Sequence, residues 1–369
     1  MQEKLTIQDI ARLAGVSKAT VSRVLNRNAS VAPELSKRVM RIVQEYDFVP
    51  NVTATGLAGG KTRLVGVLAP PLTWPSVPEI MRGVAEYIEH TSYEIILYSI
   101  NFEGGNHAAV LERILSMRMT AGLLAILPGE LSPHLVARFH RGLPMVLIDD
   151  QEKPLDIPWV GIDNTSSAYE ATRYLLELGH RRIAYIQGPR HYSCSLERYH
   201  GYSQALQDAG VMLDPALVFR GRFDLPSGRE CAAQLFSMER RDWPSAIFAG
   251  NDQMAYGVLE VAEQLGIRVP EDIALVGFDD NPLSAHMRPP LTTMRQPFSE
   301  MGSKAIELLL TMIDPAHRLS KEQKRGDDQQ GGEHLLQPGR TDRPVRVELP
   351  TRLVVRSSSS ALQAERAEP

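Results

Sequence analysis

The chain is poor in cysteine: Cys194 and Cys231 are the only two in 369 residues. Two thiols make no disulfide framework and lack zinc-ligand spacing, so both read as small, partly buried side chains of a reducing compartment. No apolar run approaches the roughly 18 residues of a membrane span, and no export signal precedes the first amphipathic segment. The chain is therefore expected to act in the cytoplasm, without membrane contact, and the sequons at Asn51 and Asn164 carry no meaning. Catalytic signatures are missing as well. The ten histidines show no metal spacing, and neither G-x-S-x-G nor H-E-x-x-H occurs, so no catalytic residue, metal or cofactor is expected. A phosphate-binding loop is excluded at Gly60-Lys61-Thr62, because three residues rather than four separate Gly56 from Gly60 and no strand precedes them.

What the chain does have begins at residue 6. TIQDIARLAGVSKATVSRVLN, residues 6–26, carries two short amphipathic periods joined at a glycine, the outline of a helix-turn-helix. Thr6 with Asp9 has capping-box spacing, and Ile7, Ile10, Ala11 and Ala14 share one helical face. Gly15 supplies a left-handed residue to end the first helix. Val16 fills the angle, Ser17 caps the second helix, and Thr20, Val21, Val24 and Leu25 form its buried stripe. Lys18, Ala19, Ser22, Arg23 and Asn26 are left outside. That set suits DNA: Arg23 can donate two bonds to guanine, Ala19 can touch a thymine methyl, and Lys18 and Asn26 can reach bases or phosphate. A third helix follows Pro33, with Leu35, Val39, Ile42, Val43 and Tyr46 inward and Lys37, Arg38 and Arg41 outward. Residues 1–63 hold ten Lys+Arg against five Asp+Glu, about +5, so with −4 for the whole chain the remainder carries about −9. The positive charge sits where a polyanion would bind, on an otherwise acidic protein.

These residues, the following FVPN and several later segments resemble the LacI/GalR family of bacterial transcription regulators over nearly the whole chain. The resemblance implies a headpiece at residues 1–48 and, at 49–63, a hinge helix with linker that pushes a leucine into the minor groove, here Leu57. It adds Thr6, Ser17 and Thr20, and from the hinge Asn51, Ala54 and Leu57, to the DNA-binding set. Gly56, Thr53 and Thr55 are weak helix formers, each costing up to about 1 kcal/mol relative to alanine, so the hinge is expected to fold only on its operator.

From residue 64 short apolar runs alternate with helical periods: LVGVLAP, EIILYSI, AGLLAIL, MVLID, WVGID, RIAYIQG, LVFRGRF, SAIFAGN and IALVGFD read as strands. Helices ending at Gly179, Gly210 and Gly266 lie between several of them. This is the rhythm of doubly wound parallel α/β sheets, and nine or more strands imply two of them, with a ligand at the carboxyl ends of the strands. The family implies the same: two lobes of periplasmic-binding-protein type over residues 64–356, with 64–162 and about 291–316 in the lobe nearer DNA, and 163–290 with a strand in 345–356 in the other. Residues 317–344, rich in charge, Gly and Gln, are expected to be a disordered insertion, and 357–369 a disordered tail.

Polar residues gather just past the strand ends: Asp149 and Asp150, Asn251 and Asp252, Asp279 and Asp280. They either face the crevice or cap the next helix, and Asn164 reads as a cap. Arg198, early in a helix, is electrostatically misplaced unless something compensates it. The family binds its effector through an Arg in R-x-x-G, an Asn in an AND-like segment and an Asp in VGFDD. Here these match Arg198 with Gly201, Asn251 and Asp279, a set suited to vicinal hydroxyls and hence to a sugar. Phe223 stands where the family stacks an aromatic, although a core role fits it equally. Trp74 is expected to close the site from the opposite lobe, with Asp149, Tyr192 and Cys194 as further lining. Ile126, where some relatives carry a polar residue, makes the lower lobe less hydroxyl-seeking. The implied partners are operator DNA, a small-molecule effector and a second copy of the chain in a homodimer. A solute-binding transport protein and a small-molecule enzyme are the rival readings, the first lacking a reason for a headpiece and the second a catalytic constellation.

Overall fold

The computed structural model describes residues 5–25, 31–48, 62–100, 107–117, 119–126, 133–149, 156–314 and 345–359. Asn26, Asn51, Ala54, Leu57, the hinge glycines and the insertion expected at 317–344 lie outside the described residues. The chain divides into two compact units, Met1–Thr62 and Arg63–Pro369.

In the first unit, α1 (Ile7–Ala14), α2 (Lys18–Leu25) and α3 (Pro33–Glu45) pack around Ile10, Ala11, Ala14, Val21, Val24, Val39 and Phe48. The signals at the start of α1 act as a reciprocal cap. The Thr6 backbone N–H donates to Asp9 Oδ2 at 3.0 Å and the Asp9 N–H to Thr6 Oγ1 at 3.4 Å. The Thr6 hydroxyl, donating to Asp9 Oδ2 at 2.6 Å, and the Thr6 backbone N–H hold the Asp9 carboxyl below the ordinary carboxylate range. Gly15 ends α1 with φ of 62°, a left-handed conformation that any side chain would strain. Two expectations are corrected. Thr20 is half-buried rather than core, because its hydroxyl turns to Ser17 Oγ at 2.9 Å. Tyr46 is 45% exposed, because α3 ends before it and Phe48 occupies the core instead.

The second unit holds two six-stranded sheets. The first, in spatial order β11-β5-β4-β3-β1-β2, comprises β1 (Leu64–Ala69), β2 (Glu94–Ser99), β3 (Gly122–Ile126), β4 (Met145–Ile148), β5 (Trp159–Gly161) and β11 (Arg346–Glu348), all parallel. The second, β12-β10-β9-β8-β6-β7, comprises β6 (Ile183–Gln187), β7 (Val218–Arg220), β8 (Ala246–Ala249), β9 (Ala274–Asp279), β10 (Thr292–Arg295) and β12 (Arg352–Val354). Of these described strands only β12 runs antiparallel. Both sheets repeat one winding, with the second strand outside the first and the later strands added on the other side. That reversal of strand order opens a crevice at the carboxyl ends. All nine apolar runs form strands, and buried β3 and β4 are apolar throughout, as a sheet covered on both faces requires.

The helices of the first lobe are α4 (Ser76–Ile88), α5 (His107–Ser116), α6 (Pro133–His140) and α11 (Phe298–Ile313). Those of the second are α7 (Asn164–Glu177), α8 (Ser193–Asp208), α9 (Leu225–Phe236) and α10 (Asp252–Gln264). The described chain passes between lobes three times, after β5, after β10 and after β11. The expected partition therefore shifts at both late crossings. Residues 292–295 join the second lobe, since β10 pairs with β9, and only α11 returns to pack on α4. The segment 345–356 splits, with β11 extending the first sheet and β12 the second. Two residues expected in the tail belong to the fold. Ser358 and Ser359 are buried, with Ser358 Oγ donating to Leu275 O and accepting the Thr292 N–H, so the sheet edge holds residues that composition alone would release.

Candidate functional site

The carboxyl ends of the second sheet converge on Arg198. On α8 the guanidinium is desolvated, only 5% of the residue being exposed, and its partners come from three other chain segments. Its Nε donates to Asn164 Oδ1 at 2.9 Å and its Nη1 to Gly250 O at 2.8 Å. Asp279 Oδ1 lies 3.8 Å from Nη1, and the cation sits 3.8 Å above the Phe278 ring. Burial by itself would make Arg198 easier to deprotonate, but Cys194, Asp279, Asp149 and Tyr185 outweigh it and hold the cation above its ordinary range. Gly201, one turn on, lets α8 reach this place: a Cβ there would lie 2.1 Å from Thr165 O on α7.

Around that cation the expected residues divide. Asp279 does face Arg198, accepting from Gln296 Nε2 at 2.7 Å, and burial raises its carboxyl against the pull of Arg198 and Gln296. Asn251 is the helix cap of α10: its Oδ1 accepts the Met254 N–H and its Nδ2 donates to Phe223 O, both at 3.0 Å. Its amide thus fixes the turn that carries Phe223. Asp252, the other cap candidate, is fully buried and accepts from Asn281 N, Ser284 Oγ and Thr293 Oγ1. Asp280 is clamped by Arg295 and Arg356 and pins the C-terminal strand. The expected cap at Asn164 is corrected. Asp163 takes that role, accepting the Ser166 N–H at 2.9 Å, which frees the Asn164 side chain to bridge Arg198 and Glu197.

Four of the five non-glycine residues with positive φ among the described residues, Asp149, Phe223, Asp279 and Asp280, lie at or just past the ends of β4, β7 and β9 at this crevice. Such conformations cost on the order of 1–3 kcal/mol each and persist where the surroundings impose them. Aromatic rings line the mouth. Tyr192 stacks on Phe223 with centroids 6.2 Å apart and 6° between planes, and Trp74 of the first lobe meets Tyr192 edge-on at 6.1 Å. Trp74 is thereby half-buried rather than open, and Gly188 must lack a side chain, since a Cβ would fall 2.1 Å from the Phe223 ring. Cys194 is buried beside Arg198, whereas Cys231 lies in the apolar core, where burial pushes its thiol up to about 11. Ile126 is buried at the end of β3.

Sequence reasoning missed Glu197, Asn164, Trp159, Arg346 and Glu348 as residues of the site. With Asp149, Ile162, Asp163 and Thr165 they line a cavity of about 190 Å³ between the lobes, beside Arg198. Trp159 Nε1 donates to the Asp149 carbonyl there. Two buried hydroxyls, Tyr185 and Ser195, have no hydrogen-bond partner among the described residues, and the Tyr185 hydroxyl is held above its ordinary pKa by burial. Among the described residues no cluster of His, Cys, Asp or Glu could hold a metal ion, and no helix is long and apolar enough to cross a membrane.

In the first unit Thr6, Ser17, Lys18, Ala19 and Arg23 are exposed and Thr20 and Ser22 half-buried, so residues of α2 and of the starts of α1 and α2 reach solvent while Val21 and Val24 anchor the helix. Thr6 and Ser17 each spend their hydroxyl on a helix start, where backbone N–H groups also favour phosphate.

Comparison with known proteins agrees with both units. Residues 6–51 match the family described as bacterial regulatory proteins, lacI family, and residues 172–327 match the periplasmic binding protein-like domain. The chain is 31% identical over 362 residues to the HTH-type transcriptional regulator DegA of Bacillus subtilis, covering 97% of this chain and 99% of that one. It is 36% identical over 318 residues to the HTH-type transcriptional repressor PurR of Aliivibrio salmonicida, covering 85% of this chain and 93% of the repressor. Among solved structures, the Lac repressor dimer bound to operator and the anti-inducer ONPF superposes with TM-score 0.78 at 25% identity, over 97% of this chain and all of that one. The transcriptional regulator CelR in complex with cellobiose gives 0.67 at 30% identity, over 96% and 99%. With a capped helix-turn-helix ahead of two sheets of repeated winding, and relatives that match it end to end, this chain belongs to the LacI family of bacterial regulatory proteins.

Proposed function

We propose that the protein is a sequence-specific transcriptional repressor whose operator affinity is set by a small molecule held between its lobes. Residues 1–48 read the major groove, 49–63 form the hinge that folds on the operator, and 64–356 bind the effector and pair two chains into a homodimer across a near-palindromic site. Lys18, Ala19, Ser22, Arg23 and Asn26 face the bases. Thr6, Ser17 and Thr20 sit at the backbone, and Asn51, Ala54 and Leu57 enter the minor groove. Arg198 and Asp279 hold the ligand's polar groups, Trp74, Tyr192 and Phe223 its apolar face, and Asp149, Cys194 and Asn251 complete the wall. The similarity to a regulator solved with cellobiose and to a repressor solved on its operator supports both halves of this reading. It also supports action in the cytoplasm.

The observation that carries the proposal is a desolvated guanidinium, fixed by Asn164 and Gly250 at the strand-order reversal of one lobe, with aromatic rings from both lobes at its mouth. A ligand that prefers one lobe arrangement by about 1–3 kcal/mol changes operator affinity about 5–150-fold. Arg198→Met keeps the packing on Phe278 and removes the donors. It should bind operator like the wild type in a gel-shift titration and lose its response to an effector found by thermal-shift screening of mono- and disaccharides. A normal response in that variant removes the assignment.

A further inference from the structure

Resting on that reading of the cleft, we infer that Arg356, just past β12, is a positioning residue of the effector site: through Asp280 it fixes the turn that aims the Asp279 carboxylate at Arg198. Asp279 and Asp280 have φ of 116° and 58°, two successive non-glycine residues in the left-handed region. Aspartate does not rest at such angles by its own preference, so neighbouring groups must impose them. Three ties do so. From β10 and the residue after it, the Gln296 N–H donates to Asp279 O at 3.1 Å, Gln296 Nε2 donates to Asp279 Oδ1 at 2.7 Å, and Thr293 Oγ1 accepts the Asp280 N–H at 3.4 Å. From α10, Asp252 accepts the Asn281 N–H at 2.8 Å. The third tie is the Asp280 side chain itself, only 3% exposed.

Arg295 holds Asp280 Oδ2, and Arg356 Nη2 donates to Oδ1 at 2.6 Å from 76 residues away. A carboxylate gripped at both oxygens by charged donors cannot swing about its own bond, and the backbone that carries it is fixed with it. Arg356 is the drier of the two arms, its side chain 16% exposed against 39% for Arg295, so its pull on Asp280 is screened less by solvent. It is itself anchored. Nη1 donates to Leu291 O at 2.7 Å, the backbone N–H donates to Thr292 Oγ1 at 2.8 Å, and the carbonyl accepts from that hydroxyl at 3.0 Å. Buried ion pairs are poor stabilisers beside apolar residues of like volume, whereas a planar guanidinium shared between Leu291 O and Asp280 sets a direction. Without Arg356 the turn is free to relax toward negative φ. The Asp279 carboxylate then leaves its line to Arg198, and ligand affinity falls although no residue touching the ligand has changed.

The test combines hydrogen exchange with saccharide binding on the full-length protein. In Arg356→Met the amides of Asp280 and Asn281 should exchange about tenfold or more faster, while those of β6 and β8 keep the wild-type rate. Whichever of glucose, galactose, ribose and cellobiose gives the largest saturable thermal shift should bind that variant about tenfold or more weakly in calorimetry. Arg356→Lys keeps the charge without the planar fork and should fall between the two. Tyr174→Phe removes a hydroxyl that meets Ser359 Oγ at 2.9 Å, so it loosens the same segment without touching Asp280 and should move neither readout. Asp280→Asn should weaken binding as Arg356→Met does, and the double variant should bind no more weakly than Asp280→Asn alone. The inference is overturned if both Arg356 variants keep wild-type exchange or wild-type affinity, if Tyr174→Phe weakens binding equally, or if the two losses multiply in the double variant. Each of those results leaves the cleft reading standing. Binding indifferent to Arg198→Met, or no binding of any of the four saccharides, removes the cleft reading and the inference with it.

Discussion

Replacing Asp252 by asparagine should make the protein increasingly more stable than the wild type as pH rises, which is an unusual expectation for a buried polar substitution. The Asp252 carboxyl is fully buried, and among the described residues no cation pairs with it. Burial raises its proton affinity, Asp279 raises it further, and the donors Ser284, Thr293 and Asn281 N–H only partly offset this. In the unfolded chain the group titrates near pH 3.9. Between that value and its raised value in the fold, the native state holds a proton that the unfolded state has lost. Its contribution is therefore fully present below the unfolded value and is lost as pH rises through the folded one, at up to about 1.4 kcal/mol per pH unit. Asparagine removes the titration but keeps the shape. Its oxygen can accept from Asn281 and Ser284, and its NH2 can donate to Thr293 Oγ1 once that hydroxyl rotates. Over about two pH units of that window the variant gains about 3 kcal/mol relative to wild type, or about 5 °C in a unit of this size. Melting curves of both proteins from pH 5 to 9 decide the matter. Parallel pH profiles would refute the reasoning and show that the three donors stabilise the anion in full.

Other perturbations test other links. Arg23→Ala should cost about 1–3 kcal/mol of discrimination between operator and scrambled duplex with little change in nonspecific binding, whereas Lys37→Ala should weaken all duplexes alike and reduce the salt slope by about one; fluorescence anisotropy over a salt series separates the two. Gly201→Ala should destabilise by about 2 kcal/mol despite better helix propensity, because its Cβ would meet Thr165 O at 2.1 Å and push α8 from α7, and thermal unfolding reads this directly.

Local chemistry makes part of this molecule readable from its residues alone. The cap at Thr6, the turn at Gly15 and the helix ends at Gly179, Gly210 and Gly266 are decided by a residue's own backbone and its neighbours within a turn, and each of those glycines has positive φ. The nine apolar runs form strands because no covered sheet can use them otherwise. The late strands are less legible. Thr292 and Thr293 are polar, yet fully buried because Ser358, Ser359, Arg356 and Asp252 satisfy their hydroxyls and backbone. At the site, Asp163 and Asn164 are equally good caps by type, and one residue of register sends the first to the helix start and the second to Arg198.

By itself, then, the sequence determined where helices begin and end, which stretches are apolar enough to be covered, and that a basic helix-turn-helix precedes an acidic α/β body, because those properties reside in neighbouring residues and their period. Contacts made only in the folded chain set the parting of β11 and β12 between lobes, the turning of Asn164 to Arg198 while Asn251 caps α10, and the placing of Glu197 and Asp149 on one cavity. Each depends on groups far apart in the chain that the two sheets bring together, and there burial lifts a carboxyl such as that of Glu197 above its ordinary range.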